Sequence, residues 1–190
     1  MTPIWHDGPL ETLPRGAAPV IWSIADTGAE ARAERVRSLV AHLAAVPAAA
    51  VGLSRSAAGA PRVTNPAGWH VGLTRRGGTC LIAAAMQPIA IDRETVDDAP
   101  PLWDMLTAAE AAELRALPPA ERPLAWLRRW TIKEAHAKLI GEPRRIAPEG
   151  IATRLIDPVQ ATAAYEGRSH CCTRMRGNAI ETVALWNARR

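Results

Sequence analysis

The chain has 190 residues, of which 48% are hydrophobic and 22% are charged. This balance excludes an intrinsically disordered chain, and the length favours one domain or two small halves that share a core. The net charge is +4 and the pI is near 9.5, which favours acidic partners in general. The arginines are scattered and form no long basic run, so a solvated surface explains them as well as a nucleic-acid-binding site does.

No apolar run approaches the ~20 residues that a membrane span needs, and the N-terminus lacks a basic segment followed by an apolar one. We therefore expect a cytoplasmic protein without a membrane partner. Cys80 lies alone in an apolar run, and Cys171 and Cys172 are adjacent. This spacing suits neither a disulfide framework nor a zinc site, so we predict three small buried residues.

The first half of the chain indicates a strand, a helix and further strands. Residues 19–26 predict a strand, and Asp26 with Thr27 can cap the helix that follows. The apolar stripe of this helix consists of Val36, Leu39, Val40 and Leu43. The remaining elements, in chain order, are a strand at 50–56, a turn-rich connection at 56–69, and a hairpin of strands 79–85 and 88–92 closed around Met86 and Gln87.

The second half repeats this order with two helices before its strands. Thr107 begins a helix that runs to about Leu117, and Pro118 and Pro119 begin a longer one that ends at Gly141. Predicted strands follow at 150–157, 169–175 and 179–186. The pattern predicts an α+β fold of two similar halves, residues 1–100 and 101–190, related by pseudo-twofold symmetry within one compact unit.

The longer helix contains the segment WTIKEAHAK, which holds both lysines of the chain. Glu134 and Lys138 are four residues apart and share one helix face, while Lys133 points about 100° away. An exposed salt bridge explains the pair and contributes a few tenths of a kcal/mol. Arginine would serve that purpose nearly as well, whereas a phosphate pocket beside a metal favours the compact ammonium of lysine.

Carboxylates for such a metal lie upstream. Asp92 and Glu94 are two residues apart in an extended segment, so both project from the same side. By themselves they suit an ordinary polar strand end. Joined by Glu134, they form a set of hard oxygen ligands of the kind that holds Mg²⁺ when substrate phosphate and water complete the shell.

These two segments resemble the signature of the 4′-phosphopantetheinyl transferase superfamily. The segment AIDRE, residues 90–94, corresponds to its first motif, Gly-Val/Ile-Asp-x-Glu. The segment WTIKEAHAK corresponds to its second and more specific motif, Trp/Phe-Ser/Thr/Cys-x-Lys-Glu-Ala/Ser-x-x-Lys. Length and motif placement are similar to those of the surfactin-synthetase-activating type, a single chain of two pseudo-equivalent halves. The resemblance therefore implies a monomeric pseudo-dimer of the same α+β class.

The resemblance implies an enzyme that transfers phosphopantetheine from coenzyme A to a serine of an acidic acyl or peptidyl carrier protein and releases 3′,5′-ADP. Asp92, Glu94 and Glu134 would hold Mg²⁺, and Lys133 and Lys138 would contact the phosphates. In two-half members a glutamate at the position of Glu110 has been assigned as the base. Thr107 and Glu110 also form a capping box, so a structural role for Glu110 is an equal alternative, and a metal-bound water is a third source of the base.

The implied coenzyme A site includes Arg37 on the first helix and two loop or strand segments, Gly59 to Pro61 and Thr74 to Arg76. Family members commonly have lysine where this chain has Ala60 and histidine where it has Arg75. A guanidinium at residue 75 could grip the 3′-phosphate with two hydrogen bonds. For Arg37, a solvated helical arginine is an equal interpretation.

Two further functions stay open at this point. A family member that retains coenzyme A or metal binding but has lost efficient transfer would explain the departures at residues 60 and 75. A basic nucleic-acid-binding protein would explain the pI, but such proteins seldom need clustered acidic residues, and no stacking platform of aromatic residues between basic ones is evident.

Overall fold

The structure is a computed structural model that describes residues 2–16, 19–141 and 143–186. The chain divides into two compact units, residues 1–91 and residues 92–190, which we call unit 1 and unit 2. The sequence predicts a boundary at residue 100, whereas the structure has it between Ile91 and Asp92, within a strand. Across the described ranges, no helix has the length and apolar character that a membrane crossing requires.

Among its described residues, unit 1 contains one α-helix, short 3-10 turns and two β-structures. Its helix is α1 (Ala29–Ala44). Its strands are β1 (Ile4–His6), β2 (Val20–Ala25), β3 (Gly52–Arg55), β4 (Pro61–Asn65), β5 (His70–Arg76) and β6 (Thr79–Ala85). Four of these strands form a sheet in the order β1-β2-β6-β5, and β3 and β4 form a separate antiparallel pair.

The core of unit 1 is apolar and centres on α1. The predicted stripe is confirmed: Val36, Leu39, Val40 and Leu43 are all buried. They pack against sheet residues such as Val20, Trp22, Cys80, Ile82 and Ala84. Because α1 presents one continuous apolar face, burial of that face is sufficient to hold it on the sheet.

The part of unit 2 that the structure describes contains two α-helices, short 3-10 turns and a five-stranded sheet. The helices are α2 (Ala108–Ala116) and α3 (Arg122–Ile140). The strands are β7 (Ile89–Thr95), in which the unit boundary lies, β8 (Ala152–Leu155), β9 (Gln160–Ala164), β10 (Arg168–Arg176) and β11 (Ala179–Trp186). The sheet order is β7-β11-β10-β9-β8, so β7 and β8 lie at its opposite edges.

Helix α3 packs on this sheet through small and large residues. Ile132, Ala135 and Ala137 lie in a buried cluster with Ile151, Ala161, Ala163, Cys171 and Ala184, and Leu139, Ile146, Leu155 and Tyr165 pack against this cluster. A second apolar cluster joins α3 to α2 through Leu106, Ala111, Leu114 and Trp126. The alanines allow close approach between helix and sheet.

The predicted hairpin of residues 79–85 and 88–92 is wrong. Strand β6 lies between β2 and β5 in unit 1, whereas β7 belongs to the sheet of unit 2. The hairpin partner of β6 is β5, joined to it through Gly77 and Gly78, which both have positive φ. Two adjacent glycines between strands are a strong hairpin signal because both can adopt the left-handed conformation that a tight primed turn needs.

Other boundaries differ in detail. The connection at 56–69 contains strand β4, and β9 was not predicted. The proline pair forms a short 3-10 turn, so α3 begins only at Arg122. Thr107 and Gly141 cap their helices as predicted, and the three cysteines are buried and free, which confirms their prediction. The α+β class is also confirmed, while the pseudo-twofold symmetry stays a prediction.

Candidate functional site

Strand β7 places one acidic side chain under α3. Asp92 is buried, with only 3% of its surface exposed, and Arg93 next to it donates a hydrogen bond to Glu181 on β11. Because neighbouring residues of a strand point to opposite faces, Asp92 faces the helix and Arg93 faces away. Glu94 is again on the side of Asp92 and is partly buried. The strand geometry that the sequence predicts for this pair is therefore present.

Helix α3 brings a carboxylate and an ammonium to the same place. The Lys138 Nζ donates to Asp92 Oδ1 at 2.5 Å. Glu134 lies one turn before Lys138 on the same helix face and is partly buried. The long-range contact between α3 and β7 thus joins two segments that are more than forty residues apart in the chain.

The electrostatics of Glu134 show that the three carboxylates are neighbours. Burial raises the pKa of Glu134, and the charges of Asp92 and Glu94 raise it further, while the charge of Lys138 lowers it. Three negative groups with one positive group leave net negative charge in a partly dehydrated place. Such a place favours binding of a cation.

The residues present fit a divalent cation. Asp92 Oδ2 is buried and has no hydrogen-bond partner among the described residues. A buried carboxylate oxygen without a partner is costly, and a cation would satisfy it. Within residues 2–16, 19–141 and 143–186, no three His, Cys, Asp or Glu side chains are grouped closely enough to enclose a metal ion. Mg²⁺ needs only one or two carboxylates when phosphate and water complete its shell.

Lys133 has a different environment from Lys138. Its side chain is 1% exposed, and its Nζ lies 2.8 Å from Glu110 Oε2, 2.9 Å from the Pro148 carbonyl oxygen and 2.5 Å from that of Ile151. These three acceptors use all three hydrogens of the ammonium. Burial lowers the pKa of Lys133, although the hydrogen bond and charge of Glu110 act in the opposite direction. This environment favours a structural role over the predicted phosphate contact.

Glu110 is the partner of Lys133, and its capping role is confirmed. Its Oε2 accepts from the Thr107 backbone N–H, while Thr107 Oγ1 accepts from the Glu110 N–H. Its Oε1 accepts from the N–H and hydroxyl of Thr153 at 2.7 and 2.5 Å. Burial by itself would raise the pKa of Glu110, but hydrogen bonds from Lys133, Thr153 and Thr107 together lower it. An occupied carboxylate with a lowered pKa is a poor proton acceptor, so the structure favours the capping role over the role of base.

In unit 1 the predicted coenzyme A residues lie at the end of β5 and in loops. Thr74 is buried, whereas Arg75 and Arg76 are exposed. The pKa of Asp26 is lowered, first by its hydrogen bond with Arg32 and to a smaller degree by the charge of Arg75. Arg32 and Arg75 therefore both lie near the first turn of α1. The sequence analysis does not name Arg32. The sequence feature that could have identified it is an arginine in the first turn of a helix that follows an acidic residue.

The remaining predicted residues of unit 1 do not form a group in the described contacts. Arg37 is partly exposed and pairs with Glu34 on the same helix, which agrees with a solvated helical arginine. Gly59, with φ +83°, lies in the turn between β3 and β4, where its carbonyl accepts from Arg55, and Pro61 is the first residue of β4. Their assignment to a coenzyme A site stays a prediction.

Residues 88–181, just under half of the chain, match the family model of the 4′-phosphopantetheinyl transferase superfamily. No individual curated protein matches the chain. The matched segment runs from β7 into β11 and contains Asp92, Glu94, Glu110, Lys133, Glu134 and Lys138. The match supports assignment to the superfamily and a transferase activity, and it covers none of the predicted residues of unit 1.

Proposed function

We propose that this protein transfers 4′-phosphopantetheine from coenzyme A to a serine hydroxyl of a carrier protein and releases 3′,5′-ADP. The observation that carries the proposal is the convergence of Asp92, Glu134 and Lys138, within the segment that matches the superfamily. Buried acidic oxygens beside a lysine ammonium suit a substrate that brings both a pyrophosphate and its cation. A cytoplasmic, monomeric protein stays the prediction from sequence.

Asp92, Glu94 and Glu134 would hold Mg²⁺, which supplies stabilisation of the charge that develops on phosphoryl oxygens. The Lys138 ammonium lies beside these carboxylates and would contact a phosphate oxygen directly. Glu110 is a poor candidate for the base, because its hydrogen bonds lower its pKa. A water bound to the cation would then be the source of the base. Partial burial of Glu134 strengthens these electrostatic interactions.

For coenzyme A itself, we propose that Arg75 contacts the 3′-phosphate. Its exposed guanidinium carries a planar fork of donors that matches two phosphate oxygens. Thr74, Arg76, Arg37, Gly59 and Pro61 complete the proposed binding residues. The Arg75→Ala variant should lose affinity for coenzyme A but little affinity for dephospho-coenzyme A, which lacks that phosphate. An equal loss for both ligands would remove Arg75 from the site.

The transfer itself is tested by incubation of the protein with coenzyme A, Mg²⁺ and a panel of apo carrier proteins, followed by intact-mass measurement. We expect a mass increase of one phosphopantetheine group on at least one carrier. The Asp92→Ala and Glu134→Ala variants should remain folded and lose activity by orders of magnitude, since removal of a metal ligand costs several kcal/mol of charge stabilisation. The Arg154→Ala variant, which removes an exposed arginine of β8, is the control and should retain activity.

A second candidate function follows from Ala60 and Arg75, which stand where the family commonly has lysine and histidine. These departures favour a protein that binds coenzyme A and metal without efficient transfer. Binding of coenzyme A by calorimetry, together with no modification of any carrier, would support that alternative. Near-normal transfer by either carboxylate variant would contradict the proposed metal site under both functions.

A further inference from the structure

The pair of Glu110 and Lys133 is a buried hub that links three separate parts of unit 2. Glu110 lies at the start of α2, Lys133 lies in the middle of α3, and each has its own hydrogen-bond partners in the segment from Pro148 to Thr153. Arg129, one turn before Lys133, approaches the same carboxylate at 3.8 Å and donates to Thr153 Oγ1. Few arrangements of these three segments would satisfy so many buried donors and acceptors at once.

The hub and the acidic site lie at opposite edges of one sheet. Lys133 reaches the segment that leads into β8, whereas Lys138 reaches Asp92 on β7. Lys133 and Glu134 are consecutive residues of α3, so their side chains differ in direction by about 100°. A rotation or slide of the helix at the hub would therefore move Glu134 relative to Asp92.

The apolar packing of α3 combines small and large side chains. Alanines on both sides are joined by the buried Ile132 and Ile151, and Leu139, Ile146, Leu155 and Tyr165 pack against them. Apolar burial is not directional, so this packing distinguishes neighbouring positions of the helix less sharply than hydrogen bonds between fixed partners do. Hydrogen bonds do distinguish the possible positions of the helix, because each needs its own partner. Besides the bonds of Glu110 and Lys133, hydrogen bonds between Thr131 and Thr182 and between His136 and Ser169 connect α3 to the sheet.

We propose that Glu110 and Lys133 form a positioning pair that sets α3 on the sheet and thereby places Glu134 beside Asp92. The inference rests on the proposed function, because it takes Glu134 as a ligand of the divalent cation. It assigns neither residue to contact with substrate. Glu110 acts through Lys133, and Lys133 acts through the helix that carries Glu134.

Three variants test this pairing against a role for Glu110 as base. Glu110→Gln leaves the ammonium of Lys133 buried without its counter-charge. Lys133→Met leaves a buried carboxylate and two carbonyl groups that have lost their donor. In the double variant no unpaired charge remains, although the amide nitrogen introduced at residue 110 meets a backbone N–H that donated to the carboxylate. Glu121→Gln, the same change at an exposed glutamate immediately before α3, is the matched control.

The main readout is the affinity for Mn²⁺, measured by the electron paramagnetic resonance of the free ion at a pH where all variants are folded. Loss of a group that orients a metal ligand lowers metal affinity by about 10- to 100-fold. We expect a loss near the lower end for each single variant, a partial recovery in the double variant, and no change in Glu121→Gln. Values of kcat and KM for transfer should follow the same order.

Two results would overturn the inference. If Glu110 is the base, Glu110→Gln lowers kcat with Mn²⁺ affinity intact, and the added Lys133→Met change restores nothing. If the pair supports only folding, unfolding free energy falls while Mn²⁺ affinity and kcat of the folded protein stay normal. A wild-type protein that binds Mn²⁺ but modifies no carrier would contradict the proposed transfer. The Mn²⁺ affinities of the variants would still test the positioning pair.

A milder variant keeps the test valid if a single charge variant fails to fold. Thr153→Val removes the hydroxyl that donates to Glu110 and accepts from Arg129, while the Thr153 backbone N–H still reaches Glu110. The side chain keeps its shape and no charge is lost. We expect a smaller fall in Mn²⁺ affinity in the same direction, and an unchanged affinity in this folded variant would contradict the inference.

Discussion

The two units each place a helix on a sheet, but they hold it by different means. Helix α1 of unit 1 buries a stripe of valine and leucine, whereas α3 of unit 2 buries the polar residues Arg129, Lys133 and His136 beside its apolar ones. The Lys133 ammonium has three acceptors, and both ring nitrogens of His136 have partners at 2.8 and 3.1 Å. The first helix depends on apolar area and the second on specific bonds.

The two kinds of contact differ in how much they fix the position of a helix as well as stabilise it. Apolar burial is not directional, so it stabilises α1 without requiring one exact placement. Buried polar groups are costly unless each finds its partner, so they tolerate only the placement in which all are satisfied. The helix with the stricter placement is the one that carries Glu134 and Lys138, and it lies in the segment that matches the superfamily.

The largest expected effect is that of Lys133→Met on stability. Removal of one partner leaves Glu110 charged and buried, which costs about 3–5 kcal/mol of unfolding free energy. The comparison in α1 is Arg37→Met, which removes a partly exposed ion pair with Glu34 and should cost no more than about 0.5 kcal/mol. Urea unfolding of both variants measures the difference. Similar small losses in both would show that the buried ionic pair is not what holds α3.

The next effect belongs to the apolar helix. Leu39 is fully buried on α1, and Leu39→Ala should destabilise the protein by about 2–5 kcal/mol because it removes apolar contacts and leaves a cavity. Its counterpart on α3 is Ile132→Val, a smaller deletion that should cost about 0.5–1.5 kcal/mol. Neither variant should change Mn²⁺ affinity by more than a few fold. A large loss of Mn²⁺ affinity in Leu39→Ala would contradict the division between the two helices.

A smaller effect concerns acid stability. The pKa of Glu110 is lowered from its ordinary value of 4.5. A depressed pKa contributes stability that is fully present above 4.5 and is lost as pH falls through the folded-state pKa, because protons bind the unfolded chain more strongly. As pH falls below about 4.5, the wild type should lose more unfolding free energy than the double variant Glu110→Gln/Lys133→Met. Urea unfolding at several pH values tests this, and parallel curves would show that Glu110 does not couple to folding.

The smallest effect on stability is expected for Lys138→Arg. The charge is kept and arginine can still pair with Asp92, so the unfolding free energy should change by only ~0.3 kcal/mol. Transfer should nevertheless slow, because a displacement of about 1 Å in a contacting group can lower rates by about a hundredfold. Steady-state kcat beside a melting curve measures both. Full activity with unchanged stability would limit Lys138 to a structural ion pair with Asp92.

Much of the candidate site could be predicted because it depends on local periodicity and short motifs. The alternation of Asp92 and Glu94 along a strand and the spacing of Glu134 and Lys138 on a helix are visible in the sequence. The direction of Lys133, away from Lys138, also follows from helix geometry. The role of Lys133 could not be predicted from the sequence, because a lysine at this position can pair equally well with a phosphate or with a buried carboxylate.

The wrong hairpin has a similar origin. Residues 79–85 and 88–92 are adjacent apolar segments with a short connection, a pattern that favours pairing. Pairing is decided by which partner edge is available, and β6 pairs with β2 and β5 while β7 joins the sheet of unit 2. Gly77 and Gly78, between β5 and β6, were a better local indication of a hairpin than Met86 and Gln87.

The sequence by itself determined the α+β class, the apolar stripe of α1, the caps at Thr107 and Gly141, and the grouping of acidic and lysine residues in two motifs. The tertiary structure decided that Glu110 meets Lys133 and that Lys138 meets Asp92. Periodicity is a property of each segment and is fixed by backbone geometry. The partner of a buried charge depends on which distant segments fold around it, because the cost of burial requires that some partner be found there.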